Sequence, residues 1–385
     1  SFTMQEVNTL VPVSYDDAAG WIVSECDAVI PSLPKTYLGT EKGEVARVTK
    51  GMAMALKARM LLYAASPLNN PGGDAARYLE AAAAAKELID AGIYKLVSEE
   101  TTNNADAQGL IFGKWCPVSS DFEAANFPVG FEGGNSGVCP SQNLAEAFDM
   151  ATGEPFDWND ESMRSRMFVA SARDPRFART LIYNGATFKG QPVQSYVGGR
   201  NGRPLDGATP TSYYLRKHIV EATSFVTGSE MSYQHIFPFF RYAEVLLNYA
   251  EALAAATQNP DFTGMKGEVE YTLSPREALN AVRARYNMPG ITETDYAAFV
   301  KRLRNERRVE LAFEGHRFWD IRRWKIGAET TKVYGLTITP QNDGSFSYVR
   351  SVIQQRGWDD RMNYYPIADA ELFKNHNLVQ NDGWK

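Results

Sequence analysis

Apolar residues recur at helical spacing in two blocks of this chain, separated and followed by stretches in which no period holds. The first block opens with Ser14 and Asp17, which have the spacing of an N-terminal capping box. Ile22, Cys26, Val29, Ile30 and Leu33 then form one stripe over residues 14–33, closed by Pro31 and Pro34. A second helix, rich in Ala and Met, is expected over residues 45–65 and ends at Ser66-Pro67. A third runs from about Asp74 to Ala91, with Tyr78, Ala82, Ala85 and Ile89 on one face and Gly92 as its stop. Small residues on the facing sides let such helices approach closely.

The second block begins with a helix expected over 238–256, where Phe240, Ala243, Leu247, Ala250 and Ala254 mark one face. Ser274-Pro275 starts another, with proline where a first helical turn tolerates it, and it stops before Pro289. A helix from Asp295 to Phe313 follows. Gly315 can take the left-handed conformation that ends it, and a short helix with Phe318, Ile321 and Trp324 on one side comes next. Between Leu110 and Met231 glycine, proline, asparagine and aromatics dominate. Only short strand-like pieces are visible there, at Thr180–Tyr183 and Tyr213–Arg216, with an island helix over 141–150 ended by Gly153. Residues 330–385 read as mostly irregular, with Met362–Ile367 extended and Asp369–Phe373 a helical turn. The expectation is a mainly α single domain over 1–385. It is a tetratricopeptide-like scaffold of helix pairs with a large irregular loop layer and a few short strands. The helical parts are 1–105 and 235–328, and the loop-rich parts are 106–234 and 329–385. A long loop region in a compact protein is usually functional.

Charge concentrates in Asn305–Lys325, where Val309, Ala312 and Phe313 give one apolar side and Glu310 and Glu314 lie within a turn of Arg307 and Arg317. Glu310, Glu314, His316 and Asp320 invite a catalytic or metal-binding reading. The arginine-rich setting favours the other one, in which the carboxylates stay ionised, pair with guanidiniums and pin helices together, with guanidiniums stacked on Trp or Phe. A net charge of −6 lacks the basic footprint of a nucleic-acid partner. The four histidines, His218, His235, His316 and His376, form no ligand-spaced pair. Neither a Gly-x-Ser-x-Gly elbow nor a Cys-His constellation is legible. Asp157–Glu161 has the alternating oxygens of a calcium loop but lacks glycine at the sixth position (Ser162) and a carboxylate at the twelfth (Phe168), so it reads as a polar turn. Cys26 reads as a small buried hydrophobe, while Cys116 and Cys139 lie in loop sequence and are able to pair in an oxidising compartment. No apolar run reaches membrane-spanning length. What stands out is loop-borne aromatic material beside amides: Trp115, Phe122, Asn126, Phe127, Phe131 and Trp158. Rings of this kind stack on the C–H faces of sugars while amides and charged groups take the hydroxyls, and these six are the candidate ligand-binding residues. The same rings also suit plugging a loop layer onto helices.

Four stretches resemble the SusD/RagB-like nutrient-binding outer-membrane lipoproteins of Bacteroidota, in that family's order. They are Arg47–Gly51 through Lys57–Ser66; Pro140–Leu144 to Gly153 with Arg173–Phe177; Arg241–Ala252; and Arg304–Arg317 with Trp319–Trp324. Tyr365-Pro366-Ile367 and Asn375–Asn381 resemble the family's C-terminus. The resemblance implies the helix-pair scaffold, no catalysis and no cofactor. It implies a surface-exposed protein of the outer membrane, joined to it only by a lipid anchor not present in this chain. It also implies binding of oligosaccharides, or in some members peptides, as a lid on a TonB-dependent SusC-like transporter. The family's lipidated N-terminal cysteine and first repeats have no counterpart here, as if an N-terminal portion were missing. The matched motifs belong to the scaffold, so no ligand contact carries over. A glycoside hydrolase with a carboxylate pair set by space rather than by sequence is the rival of another class.

Overall fold

The structure is a computed structural model that describes residues 11–35, 37, 46–97, 104 and 107–384. Three N-terminal helices, α1 (Tyr15–Val29), α2 (Lys50–Ala65) and α3 (Ala75–Asp90), each start where a short polar side chain meets free backbone N–H groups. Ser14 accepts from the Asp17 amide, Thr49 from Met52 and Asp74 from Ala76. Alanines 53, 55 and 58 on α2 and 81, 82, 84 and 85 on α3 are buried, which lets α1, α2 and α3 stack as successive hairpins. Against them lies α8 (Tyr242–Thr257), apolar on nearly every side and accordingly central, touching α2, α3, α9 (Pro275–Ala284) and α10 (Tyr296–Glu310). The start expected at Ser274-Pro275 is a complete capping box between Ser274 and Glu277. Helix α11 (His316–Arg323) follows Gly315, whose φ of 82° is the left-handed turn expected there.

Between the two helical blocks lie four short helices, α4 (Asp121–Asn126), α5 (Gln142–Ala145), α6 (Glu161–Ser165) and α7 (Pro175–Thr180). The island expected over 141–150 thus shrinks to one turn. The two strand-like pieces do form strands, β2 (Leu181–Ile182) and β5 (Tyr214–Leu215), and they pair with each other. Two longer ladders were not legible. Strand β1 (Leu110–Ser119) pairs antiparallel with β6 (Tyr233–Arg241), so α8 starts at Tyr242 and Phe240 belongs to a strand. In the C-terminal part, β9 (Lys332–Pro340) and β10 (Phe346–Gln355) make a hairpin where irregular chain was expected. No residue of β10 is fully buried, though Phe346 and Tyr348 pack half-buried on the second core, and its β-branched and aromatic residues fit a pleated ladder. Minor hairpins join β3 (Thr187–Phe188) to β4 (Gln191–Pro192) and β7 (Gly264–Lys266) to β8 (Val269–Tyr271), and α12 (Asp369–Lys374) closes the order. One core fills the helical hairpins; a second, around Phe127, Phe148, Phe177, Phe188, Tyr213 and Ile338, fixes the loop layer. Among the described residues no helix is long and apolar enough to cross a membrane.

Two helical glycines test how tight the hairpins are. A Cβ on Gly51 would lie 2.3 Å from the Tyr94 hydroxyl, whereas a Cβ on Gly20 meets nothing within 4 Å. Gly51→Ala is therefore expected to destabilise by about 1–3 kcal/mol through overpacking. Gly20→Ala should stabilise by about 0.5–1 kcal/mol, and urea melts followed by circular dichroism check the opposite signs.

Candidate functional site

The charged stretch identified in the sequence is an ion-pair network buried between α7, α8, α10 and α11. Arg307, fully buried, donates to Asp320 at 2.9 Å, and Arg323 joins Asp320 at 2.8 Å and Glu251 at 2.8 Å. Arg241 donates to Glu310 at 2.9 Å and to Glu314 at 2.7 Å, and Lys217 adds a 2.6 Å bond to Glu314. Arg176 links Asp174, Glu306 and Glu310, and Arg283 links Glu306 at 2.8 Å with Asp149 at 3.0 Å. Guanidiniums stack on rings as expected, with Arg323 4.5 Å and Arg304 4.8 Å from the Trp324 ring centre.

Burial alone would push these carboxylates up, but the facing cations outweigh it. Glu244, beside Arg59 and His316, and Glu314, beside Arg241 and Lys217, are both held at about 2. Glu310 and Asp320 are held below their usual range in the same way. Asp149 is the exception, raised by burial that Arg302 and Arg283 only partly offset. His316 is pulled down to about 4 by burial, against the pull of Glu244, and stays neutral at pH 7. Carboxylates ionised and doubly bonded in this manner are poor proton donors or bases, since either role needs a group near its titration point. Among the described residues no three His, Cys, Asp or Glu side chains converge as a metal site.

The six residues expected to contact ligand fall in three places. Trp115 on β1, opposite Ile236, is half-buried. Phe122 on α4 is half-buried against His235, with ring centres 5.4 Å apart, and against His218 at 6.4 Å. Asn126 is buried, its amide spent on the Phe122 carbonyl and the Val138 N–H. Phe127 is 0% exposed, edge-on to Phe188 and Phe225, and Phe131 packs edge-on to Phe188 with Arg200 over its ring. Trp158 lies apart, half-buried, with the Arg164 guanidinium 5.8 Å from its ring. All three thiols are free, and Cys116 and Cys139 do not pair.

Phe122 begins a chain of rings. From His218 it continues to Phe237 at 5.8 Å and to Phe239 at 5.8 Å. Phe237 and Phe239 form one wall of a cavity of about 440 Å³, and Tyr15, Tyr63 and Trp319 form the others. Arg59, which pairs with Glu244 and lies 3.7 Å from the Phe240 ring centre, forms the floor with His316. The Tyr15 and Tyr63 hydroxyls and the Trp319 indole N–H make no hydrogen bond to any described residue. Burial pushes both phenols up, so they remain protonated donors. Beside the cavity, Phe318, Trp319 and Tyr365 form an exposed ledge. Phe318 and Tyr365 stack 6.0 Å apart at 27°, and Trp319 meets Phe318 edge-on at 5.1 Å. The sequence places Phe318 with Ile321 and Trp324 on one side of a short helix and does not mark Phe318, Trp319 or Tyr365 as ligand contacts. The stretch carries no local signal that separates its rings: Phe318 and Trp319 are exposed at the start of the helix, whereas Trp324 is buried with its indole N–H on Glu251.

The sequence model of the SusD family matches residues 103–384. A SusD-like protein P2 of Formosa agariphila is 33% identical over 146 residues, which span 37% of this chain and 24% of that relative. A crystal structure of a SusD-like protein from Bacteroides fragilis superimposes at a TM-score of 0.78 with 27% identity, covering 100% of this chain and 74% of its own. A SusD-like carbohydrate-binding protein from the same species gives 0.76 and 27%, covering 98% of this chain and 74% of its own. The family model accounts for well over half of the residues and the helix-pair scaffold is common to both structures, so the chain belongs to the SusD family.

Proposed function

We propose that this protein binds oligosaccharides at the outer surface of a Bacteroidota cell, without catalysis, and delivers them to a TonB-dependent SusC-like transporter. The observation that carries the ligand class is the cavity between β6 and α11, walled by five rings and carrying phenol and indole donors with no partner among the described residues. Rings stack on the C–H faces of a sugar, and the donors take its hydroxyls. The relative described as carbohydrate-binding supports the same class. Delivery to a transporter, and tethering at the outer membrane by a lipid anchor, rest on the family. The non-catalytic reading is supported by the carboxylates nearest the cavity, which are already engaged by arginine. Each ring contact is modest, so affinity on the order of micromolar is expected, with several sugar units engaged together.

Affinity gels and titration calorimetry over a panel of glycans test this. Trp319→Ala and Phe239→Ala should each weaken binding roughly 10- to 30-fold, the loss of about 1.5–2 kcal/mol that a central aromatic contact carries. Trp115→Ala, Phe131→Ala and Trp158→Ala, at rings outside the cavity, should weaken it less. Unchanged retention of Trp319→Ala removes the cavity as the site. New reducing ends on incubation with glycans would establish a hydrolase instead.

A further inference from the structure

On the opposite side of Gly315-His316 lies a second cavity, of about 480 Å³, between α10, α11 and the foot of the β9–β10 hairpin. Its charged lining is Arg308, Arg317, Lys332 and Arg356 against one carboxylate, Glu329. That balance is unusual in a chain of net charge −6. The surrounding fold makes it more so. Arg59, Arg176, Arg241, Arg283, Arg307 and Arg323 all meet at least one carboxylate. The side chains of Arg308 and Arg317 make neither a hydrogen bond nor an ion pair with any described residue. Arg356 reaches only the Gln354 amide, at 3.1 Å. Burial pulls Arg308 down to about 9, and the neighbouring Arg317 adds to the effect. Keeping two cations close together and partly stripped of water is unfavourable unless an anion completes the site.

We propose that this cavity takes an oxyanion carried by the oligosaccharide, the carboxylate of a uronic acid or a sulfate ester, held between Arg308 and Arg317. Paired guanidiniums present forked donors that match either group, and charge-assisted bonds of that kind are the strong ones. Lys332 and Arg356 at the rim add attraction for an approaching acidic chain. The two cavities share Gly315 and His316 as a wall, and the exposed Phe318–Trp319 pair stands between them. One extended ligand can therefore stack on the ledge while placing its acidic unit in the basic cavity. This inference rests on the oligosaccharide reading above and narrows it to acidic glycans.

Sulfate and glucuronate, titrated separately into the full chain by calorimetry against a chloride control, test the site without any glycan. Saturable binding on the order of millimolar is expected for one or both, which distinguishes the two sources. Arg308→Gln and Arg317→Gln should weaken it at least 10-fold, while Arg308→Lys should keep part of it. Both glutamine variants should melt at or above the wild-type temperature, since each relieves the repulsion that Arg317 exerts on the half-buried Arg308. A lowered melting temperature with unchanged anion binding would make the arginines structural and overturn the proposal. In affinity gels an acidic glycan should be retained more strongly than a neutral one of like linkage, and Arg308→Gln should abolish the difference. Neutral glycans bound equally well, with no sulfate or glucuronate binding, overturn this inference and leave the proposed function standing. Anion binding through Arg308 with no glycan retained overturns the sugar ligand, and the proposed function with it.

Discussion

Glu310→Ala is expected to cost about 3–5 kcal/mol, a large share of the stability of a typical domain. The Glu310 carboxylate accepts from Arg241 at 2.9 Å and Arg176 at 3.1 Å, and it also pairs with Arg285. Truncating it leaves these three cations facing one another in a space that water does not fill, and the cost is mainly that of the uncompensated charge. Glu310→Gln keeps the shape and one acceptor, so its cost should be smaller. A surface pair provides the control: Lys374 and Glu371 lie 2.8 Å apart with both side chains 56% exposed. Glu371→Ala should change stability by less than about 0.5 kcal/mol. Urea melts of the three variants separate these cases, and a Glu310→Ala midpoint close to wild type would show that the network contributes little to holding the helices. Adding Arg285→Ala to Glu310→Ala should cost less than the two single effects together, because the second change removes one of the stranded cations.

Acidification should weaken the fold in two stages. His316 is held at about 4 instead of 6.5, so between those values the unfolded chain takes up a proton that the folded one refuses. Stability should fall by up to about 3 kcal/mol as pH drops from 6.5 to 4. Glu244 and Glu314, held at about 2 rather than 4.5, act over a lower window. Their contribution is whole above pH 4.5 and is lost as pH falls towards 2. Melting temperatures recorded from pH 8 to pH 3 should show a plateau, a shallow decline starting near 6.5 and a steeper one below 4.5. His316→Gln should remove the shallow decline alone. A wild-type profile flat down to pH 4.5 would contradict the buried, neutral state of this imidazole.

The helices were legible from the spacing of apolar residues, with starts marked at Ser14 and Ser274-Pro275; the Thr49 cap was not read, and the helix expected from residue 45 begins at Lys50. The ion-pair character of Asn305–Lys325 was legible from its composition, but its partners were not: Glu310 and Glu314 meet Arg176, Lys217 and Arg241, from remote segments, rather than the neighbouring Arg307 and Arg317. The β1–β6 ladder joins segments more than a hundred residues apart, and a pairing of that kind leaves no local mark. Phe240 fits an apolar helical stripe and a strand equally well, and the partner strand decided the matter. The loop-layer rings follow the same logic. Whether Phe127 faces a ligand or the core depends on Phe188 and Phe225, which nothing near residue 127 announces. The cavity beside Trp319 draws on Tyr15, Arg59, Tyr63, Phe237 and Phe239, five positions from three separate stretches of chain, and only the assembled fold brings them together.

The network described above gathers Arg176, Lys217 and Arg241 from the middle of the chain, but most of their carboxylate partners lie between residues 306 and 314. A chain synthesised from its N-terminus therefore carries these cations without most of their partners until residues 306–314 emerge. Helical hairpins can form along the way, yet the charges that lock them close only near the end of synthesis. A ribosome-stalled fragment ending before residue 306 should accordingly stay open to protease, however many of its helices have formed.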